Sequence, residues 1–108
     1  MDAKQVKEEG TMPTYINLVS WTDQGIRNIK EAPQRIDAFK KAVEAAGGKL
    51  VGFYLTMGKY DIVTIVDAPN DEAIANIALT TGSKGSIRTE TMKAFTEVQF
   101  RNIVTKVQ

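Results

Sequence analysis

The segment Gly58-Lys59-Tyr60-Asp61 contains residues whose types could do chemistry. The carboxylate of Asp61 could accept hydrogen bonds from the backbone of a neighbouring loop, or bind a cation, an amine or a partner's basic side chain. Gly58 and Tyr60 also have a structural explanation, because a tight hairpin favours glycine and a strand favours tyrosine. A turn contact or an ion pair is a commoner reason for such a carboxylate than catalysis. A structural or dimer-stabilising role is therefore the first interpretation.

A second set of polar and amphipathic groups lies on the predicted strands. Asn17 and Trp21 belong to the first strand, Arg88 and Glu90 to the last, and Tyr54 to the second. If the first and last strands lie side by side, their four groups could line a small cavity. Asn17, Tyr54, Trp21 or Arg88 could then orient an aromatic substrate. The alternative is that the arginine and the glutamate form a solvated or interfacial ion pair, which stabilises little, and that the tryptophan fills a core or an interface.

The motif Thr22-Asp23-Gln24-Gly25 follows the first strand and has the composition of a helix start. Capping and the helix dipole explain its first two residues. They do not explain Gln24 or Gly25, whose backbone donors could hold a small anion. A later glycine-rich stretch, Gly82-Ser83-Lys84-Gly85-Ser86, lacks the spacing of a phosphate loop and follows a helix instead of preceding one. We interpret that stretch as a helix end.

The composition of the chain excludes several kinds of chemistry. The sequence has no histidine and no cysteine, so a thiolate nucleophile, a disulfide, the usual general base and the usual zinc or haem ligand are all missing. We therefore expect no metal and no cofactor. With 14 basic residues against 13 acidic ones, the net charge of +1 provides no field that would gather nucleic-acid phosphates. Nucleic acid is not an expected partner.

Length and hydropathy indicate one domain without a membrane segment. A chain of 108 residues has the usual size of a single domain and can bury enough surface to fold without a disulfide. Residues 1–11 are expected to be a flexible leader or a start-site extension, and residues 12–108 the domain itself. No apolar run approaches the roughly 20 residues that cross a bilayer, and the N-terminus lacks a signal-peptide pattern. We expect a cytoplasmic protein that does not bind membranes.

The order of the elements predicts the fold class. Strands are predicted at 14–21, 49–57, 60–67 and 86–95, and helices as a short turn from 22, then over 34–46, 69–81 and from 96 onward. Pro33 is expected to separate the first two helical stretches, and Arg35 to lie on the solvent side of the second. This βαββαβ order predicts an α+β, ferredoxin-like domain with a four-stranded antiparallel sheet and an extra C-terminal helix.

The hairpin predicts which residues share a face of the sheet. With Gly58-Lys59 as a two-residue turn, the expected cross-strand pairs are Leu55 with Ile62, Phe53 with Thr64, and Val51 with Val66. Two helices cover only one face of such a sheet, and several apolar residues are expected on the other: Val19, Trp21, Tyr54, Val63 and Ile65. Because a monomer rarely exposes so large an apolar patch, we expect a homodimer, or a higher homo-oligomer built from it.

Three segments carry a family resemblance: Trp21-Thr22-Asp23-Gln24-Gly25, Gly58-Lys59-Tyr60-Asp61 and Arg88-Thr89-Glu90-Thr91. Together they resemble the GYD-domain family over residues 12–108. This resemblance implies a dimeric α+β barrel without a generally assigned activity. The stretch 51–95 is also similar to the effector-binding domain of leucine- and asparagine-responsive regulators, which bind small metabolites between subunits. Their helix-turn-helix segment is missing here, so DNA binding is not implied.

Two main hypotheses about function follow. The first is a homodimeric module that binds a small metabolite or an anion, without catalysis. The alternative is a cofactor-independent monooxygenase or isomerase that acts on a small aromatic or lactone substrate in a pocket between sheet and helices. Members of the same barrel superfamily have such activities, but a fold this widely used does not assign a reaction. A purely structural partner protein is a third hypothesis.

Overall fold

The structure is a computed structural model that describes residues 12–108; the predicted leader, residues 1–11, lies outside the described residues. Its strands are β1 (Thr14–Trp21), β2 (Lys49–Leu55), β3 (Ile62–Asp67) and β4 (Ile87–Ala94). Its helices are α1 (Asp23–Arg27), α2 (Ala32–Ala45), α3 (Asp71–Gly82) and α4 (Glu97–Val104), with a 3₁₀ turn (Ile29–Glu31) between α1 and α2. Within the described residues, no helix combines the length and the apolarity needed to cross a membrane.

The strands form one antiparallel sheet of four strands in the order β2-β3-β1-β4. This is the predicted α+β, ferredoxin-like βαββαβ fold with an added C-terminal helix. Helices α2 and α3 cover one face of the sheet, which we call the covered face; the opposite side is the open face. A core of buried residues lies under the two helices: Tyr15, Val43, Val66, Ala68, Ile74 and Ile77.

The register of β1 corrects one prediction. Val19 and Trp21 were expected on the open face, but both line the space under the helices, and Val19 is only 5% exposed. Ile16 and Leu18 occupy the open face instead. Successive residues of a strand point to opposite faces. Both faces of β1 carry apolar residues, so its sequence alone does not decide which face the helices cover.

The β2–β3 hairpin follows the predicted register up to a bulge. Leu55 pairs with Ile62 and Phe53 with Thr64, as expected. The third expected pair is wrong, since Val66 pairs with Leu50 and the register shifts between Leu50 and Gly52. A bulge places one extra residue in a strand and changes the face of everything beyond it. As a result Val51, the residue inside the bulge, is 52% exposed.

The helix ends follow the predicted capping chemistry. Asn70 caps α3 by accepting from the backbone of Ala73 at 2.9 Å, and Thr96 forms the expected capping box at the start of α4. Pro33 does not separate two helical stretches as predicted. It lies in the first turn of α2, where a missing backbone N–H costs nothing, so α2 begins at Ala32.

Candidate functional site

A cavity of about 260 Å³ lies between the covered face of the sheet and helices α2 and α3. Its walls are mostly apolar, with large side chains from two strands and both helices: Val19, Trp21, Phe39, Phe53, Ile74 and Ile77. Two predicted site residues, Asn17 and Trp21, lie together on its floor because they point to the same side of β1. A concave apolar space with a few polar groups is the usual form of a small-molecule site.

Asn17 is a buried polar group of the cavity floor, with 5% of its surface exposed. Its Nδ2 donates to Oγ1 of Thr64 at 2.9 Å, and its Oδ1 accepts from Oγ1 of Thr91 at 2.8 Å. These bonds run across three neighbouring strands, since Asn17 pairs with Thr64 in β3 and with Thr91 in β4. An amide can donate twice and accept twice. Asn17 is therefore held in one orientation and keeps capacity for a polar group of a ligand.

The turn that begins at Thr22 is docked onto the start of β4 beside the cavity. The backbone of Thr22 donates to the carbonyl of Ser86 at 3.0 Å, and its hydroxyl donates to the carbonyl of Gly85 at 2.6 Å. The same hydroxyl accepts from the backbone of Gly25 at 3.1 Å. A Cβ at Gly25 would overlap the carbonyl oxygen of Ser86. This close approach explains structurally why position 25 is a glycine, which the sequence did not reveal.

The remaining residues of this turn are tied to the cavity rim. Nε2 of Gln24 donates to the carbonyl of Lys84 at 3.3 Å. The guanidinium of Arg35 donates to the carbonyls of Gly25 at 3.3 Å and Asn28 at 3.1 Å. Asp23 is exposed at the start of α1. The groups predicted to hold an anion are thus partly engaged within the protein, and the anion site stays a prediction.

Two cationic residues that sequence reasoning did not assign to the site line the cavity. Arg35 was expected on the solvent side of its helix, but it is half-buried and belongs to the lining, together with Lys84. Helical spacing alone did not show this, because the guanidinium of Arg35 is held by the carbonyls of Gly25 and Asn28, which lie outside α2. The sequence carried a signal for Lys84 in the glycine-rich stretch between α3 and β4.

Arg88 and Glu90 lie on the open face and not with Asn17 and Trp21, so the predicted cluster of these four residues is wrong. They pair with Ser20 and Leu18, which point away from the helices. The expected neighbourhood of β1 and β4 is correct, but the two pairs of residues occupy opposite faces of the sheet.

The hairpin motif connects three strands at one end of the sheet. Oδ2 of Asp61 accepts from the backbone of Trp21 at 2.9 Å, while the backbone of Asp61 donates to the carbonyl of Val19 at 2.8 Å. The hydroxyl of Tyr60 donates to Glu90 on β4 at 3.0 Å. Gly58 has a φ of +114°, a conformation that favours glycine. Asp61 thus accepts a hydrogen bond from the backbone of a neighbouring element, which is one of the roles that the sequence suggested for its carboxylate.

The open face of the sheet is apolar at its centre. Ile16 pairs with Ile65 and Leu18 with Val63, so four large aliphatic side chains meet there. Tyr54 extends the patch on β2 and is 57% exposed. Helix α4, which follows β4, carries exposed apolar side chains of its own: Val98, Phe100, Ile103 and Val104. Val63, Ile65 and Tyr54 are on the face where they were expected.

A buried tyrosine that sequence reasoning missed lies at the other end of the covered face. The hydroxyl of Tyr15 donates to Oδ1 of Asp71, which also lies 3.4 Å from Nζ of Lys93. Burial and this bond raise the pKa of Tyr15 to about 12. The hydrogen bond from Tyr15 and the charge of Lys93 lower the pKa of Asp71. The sequence placed Asp71 in a first helical turn, and no local pattern links it to a residue so far away in the chain.

Comparison with known proteins identifies relatives of the chain. Residues 15–104 match a family model described as GYD domain. A Thermus thermophilus protein named glutamine synthetase and cystathionine beta-lyase binding protein is 34% identical over 84 residues, which is 77% of this chain and 88% of that protein. The expected resemblance is therefore confirmed. This relative's name gives no support to the monooxygenase or isomerase alternative.

Two solved structures show the same fold. A feast or famine regulatory protein from M. tuberculosis, complexed with L-methionine, has a TM-score of 0.62 at 13% identity and is matched over 84% of this chain and 55% of its own length. The leucine response regulatory protein of Mycobacterium tuberculosis has a TM-score of 0.61 at 13% identity, over 83% of this chain and 55% of that protein. The chain spans about half the length of these regulators. At such low identity the likeness extends to the fold alone.

Proposed function

The chain belongs to the GYD domain family, and from this premise we propose that it is a homodimeric, non-catalytic binding module. It takes a small molecule into the cavity between sheet and helices, and it regulates partner enzymes by contact. The observation that carries the proposal is the pair of surfaces that one sheet offers. The covered face holds a lined cavity, and the open face holds an apolar patch.

The apolar patch supports the homodimer. Ile16, Leu18, Val63 and Ile65 form its centre, and in a monomer water would contact them. Monomers rarely leave a large contiguous apolar patch exposed. A second copy covers the patch by a two-fold contact in which each sheet lies against the other. Helix α4 follows β4 directly, and its exposed apolar side is available for the same contact.

Sedimentation velocity at micromolar concentration tests the dimer. We expect twice the 11.9 kDa of one chain. Leu18→Lys places a charge in the centre of the patch and converts the protein to a monomer. Leu79→Lys is the matched control, because Leu79 is 73% exposed on α3 and faces away from the patch. A wild-type protein that sediments as a monomer, or a Leu18→Lys protein that stays dimeric, contradicts the homodimer.

The name of the Thermus relative supports regulation by protein contact. That relative is named for binding glutamine synthetase and cystathionine β-lyase. Biolayer interferometry with these two purified enzymes tests whether this chain binds either of them. We expect binding by the wild-type protein and a changed affinity when the cavity is occupied. If the chain binds neither enzyme, this part of the proposal is wrong. The homodimer is tested separately by sedimentation.

A further inference from the structure

The two charged residues among those that line the cavity are both cationic, Arg35 and Lys84. No aspartate or glutamate of the described residues belongs to the lining. We infer that the cavity binds a small monocarboxylic acid with an apolar body, and that it rejects the corresponding amino acid. This inference rests on the proposed function, which makes the cavity a small-molecule site, and it adds the chemical class of the ligand.

At one end of the cavity the α1 turn contacts both cationic residues, Lys84 through its backbone carbonyl and Arg35 through its guanidinium. Gln24 binds the backbone of Lys84 and its neighbour Gly25 accepts from the guanidinium of Arg35. Both partners of Arg35 are neutral carbonyls, so its charge is not compensated by them. Within residues 12–108 neither cation forms an ion pair. The acid in the same turn, Asp23, is exposed and outside the lining.

A carboxylate suits this end of the cavity. It accepts charge-assisted hydrogen bonds, which are stronger than those between neutral groups, and a guanidinium matches its planar geometry. An α-ammonium group beside the carboxylate would meet two like charges. It would also have no acidic partner among the lining residues. Bringing such a group out of water without a partner is unfavourable.

The rest of the cavity determines the body of the ligand. Its volume of about 260 Å³ and its apolar walls suit a phenyl ring or a branched chain with a short linker, given that a cavity of about 150 Å³ holds benzene. Aromatic side chains such as Phe39 and Phe53 line the space. Asn17 adds one polar position on the floor for a hydroxyl or keto group.

The chain offers its own reporter for occupancy, since Trp21 lines the cavity and is the one tryptophan of the sequence. Its fluorescence and its indole N–H resonance in NMR spectra report binding at this place. The probes are 3-phenylpropionate, 3-phenylpropanamide and phenylalanine, which share the phenyl body and differ in the charged groups that they carry. We expect the acid to bind about tenfold more tightly than either of the other two.

Substitutions assign the selectivity to the cations. Arg35→Gln and Lys84→Gln each weaken binding of 3-phenylpropionate severalfold and leave 3-phenylpropanamide unchanged. Thermal unfolding shows whether Arg35→Gln weakens the contact with α1. If it does, Lys84→Gln alone provides the test. Lys41→Gln, an exposed change on α2 outside the cavity lining, is the matched control and alters neither affinity.

The outcomes separate this inference from the proposed function. Equal binding of acid and amide, or phenylalanine binding at least as tightly as the acid, overturns the inference and leaves a small-molecule site. If none of the three probes perturbs Trp21, both the inference and the small-molecule part of the proposed function fail. If the acid binds but both glutamine variants bind it normally, the assignment to Arg35 and Lys84 is wrong.

Discussion

Gly25→Ala tests whether the turn after β1 is a docking contact or a ligand site. A methyl group at this position would overlap the carbonyl oxygen of Ser86 and lie 3.0 Å from its carbonyl carbon. Both neighbours are backbone, so no side chain can rotate away. The turn must instead move off the start of β4, which stretches the bonds from Thr22 to Ser86 and Gly85.

The expected loss follows from these contacts. Overpacking against backbone costs about 1–3 kcal/mol, and weakening two hydrogen bonds adds about 1 kcal/mol. We therefore expect Gly25→Ala to lower the free energy of unfolding by about 2–4 kcal/mol. For a domain of this size each kcal/mol shifts the melting temperature by about 4–8 °C. Urea denaturation followed by Trp21 fluorescence measures the change.

Gly82→Ala provides the control for this measurement. Gly82 lies at the end of α3, and a Cβ there would meet nothing within 4 Å. Alanine favours the helix, so this variant should gain about 0.5–1 kcal/mol. A Gly25→Ala protein as stable as the wild type would refute the docking contact. If that stable protein had lost binding of a small anion, the anion site would be supported instead.

Three further predictions concern stability. Burial raises the pKa of Tyr15 from 10.0 to about 12, so the free energy of unfolding should fall as the pH rises through this window; Tyr15→Phe should flatten that fall, and an unchanged slope would contradict it. The pKa of Asp71 is lowered, so its carboxylate stabilises the folded state at pH values above its usual pKa, and this stabilisation is lost in acid. Asp71→Asn should reduce the acid dependence of the melting temperature. Asp61→Ala should cost about 1–3 kcal/mol because the backbone donor of Trp21 loses its acceptor, whereas Asp61→Asn retains an acceptor and should cost less. Equal losses in chemical denaturation would show that the charge of Asp61 matters more than the bond.

Local patterns were sufficient for the elements of the fold. β1 begins and ends where its β-branched and aromatic residues do, at Thr14 and Trp21. The caps at Asn70 and Thr96 were visible because capping depends on residues within one helical turn. The bulge at Val51 was not visible, since it depends on how β2 pairs with β3 and not on β2 alone.

The candidate site was only partly predictable because its composition depends on which face of the sheet the helices cover. Asn17 and Trp21 line the cavity, which was one of two alternatives from the sequence, whereas Arg88 was grouped with them through a wrong assumption about faces. Arg35 and Lys84 lie beside the cavity where the α1 turn contacts both, and the contact between Gln24 and Lys84 joins residues far apart in sequence. Helical periodicity carries no information about such contacts.

The adjacent residues Tyr60 and Asp61 bind one residue of each face of the sheet, so the hairpin motif does more than form a turn. Its carboxylate binds the backbone of Trp21, a cavity residue, while the neighbouring Tyr60 binds Glu90 on the open face. In the proposed homodimer, a change in packing that moves Glu90 would reach the cavity through adjacent residues of one hairpin. If the dimer and the ligand site are coupled, Tyr60→Phe should change ligand affinity in the dimer and not in the Leu18→Lys monomer. Equal effects in both proteins would mean that the motif serves the hairpin alone.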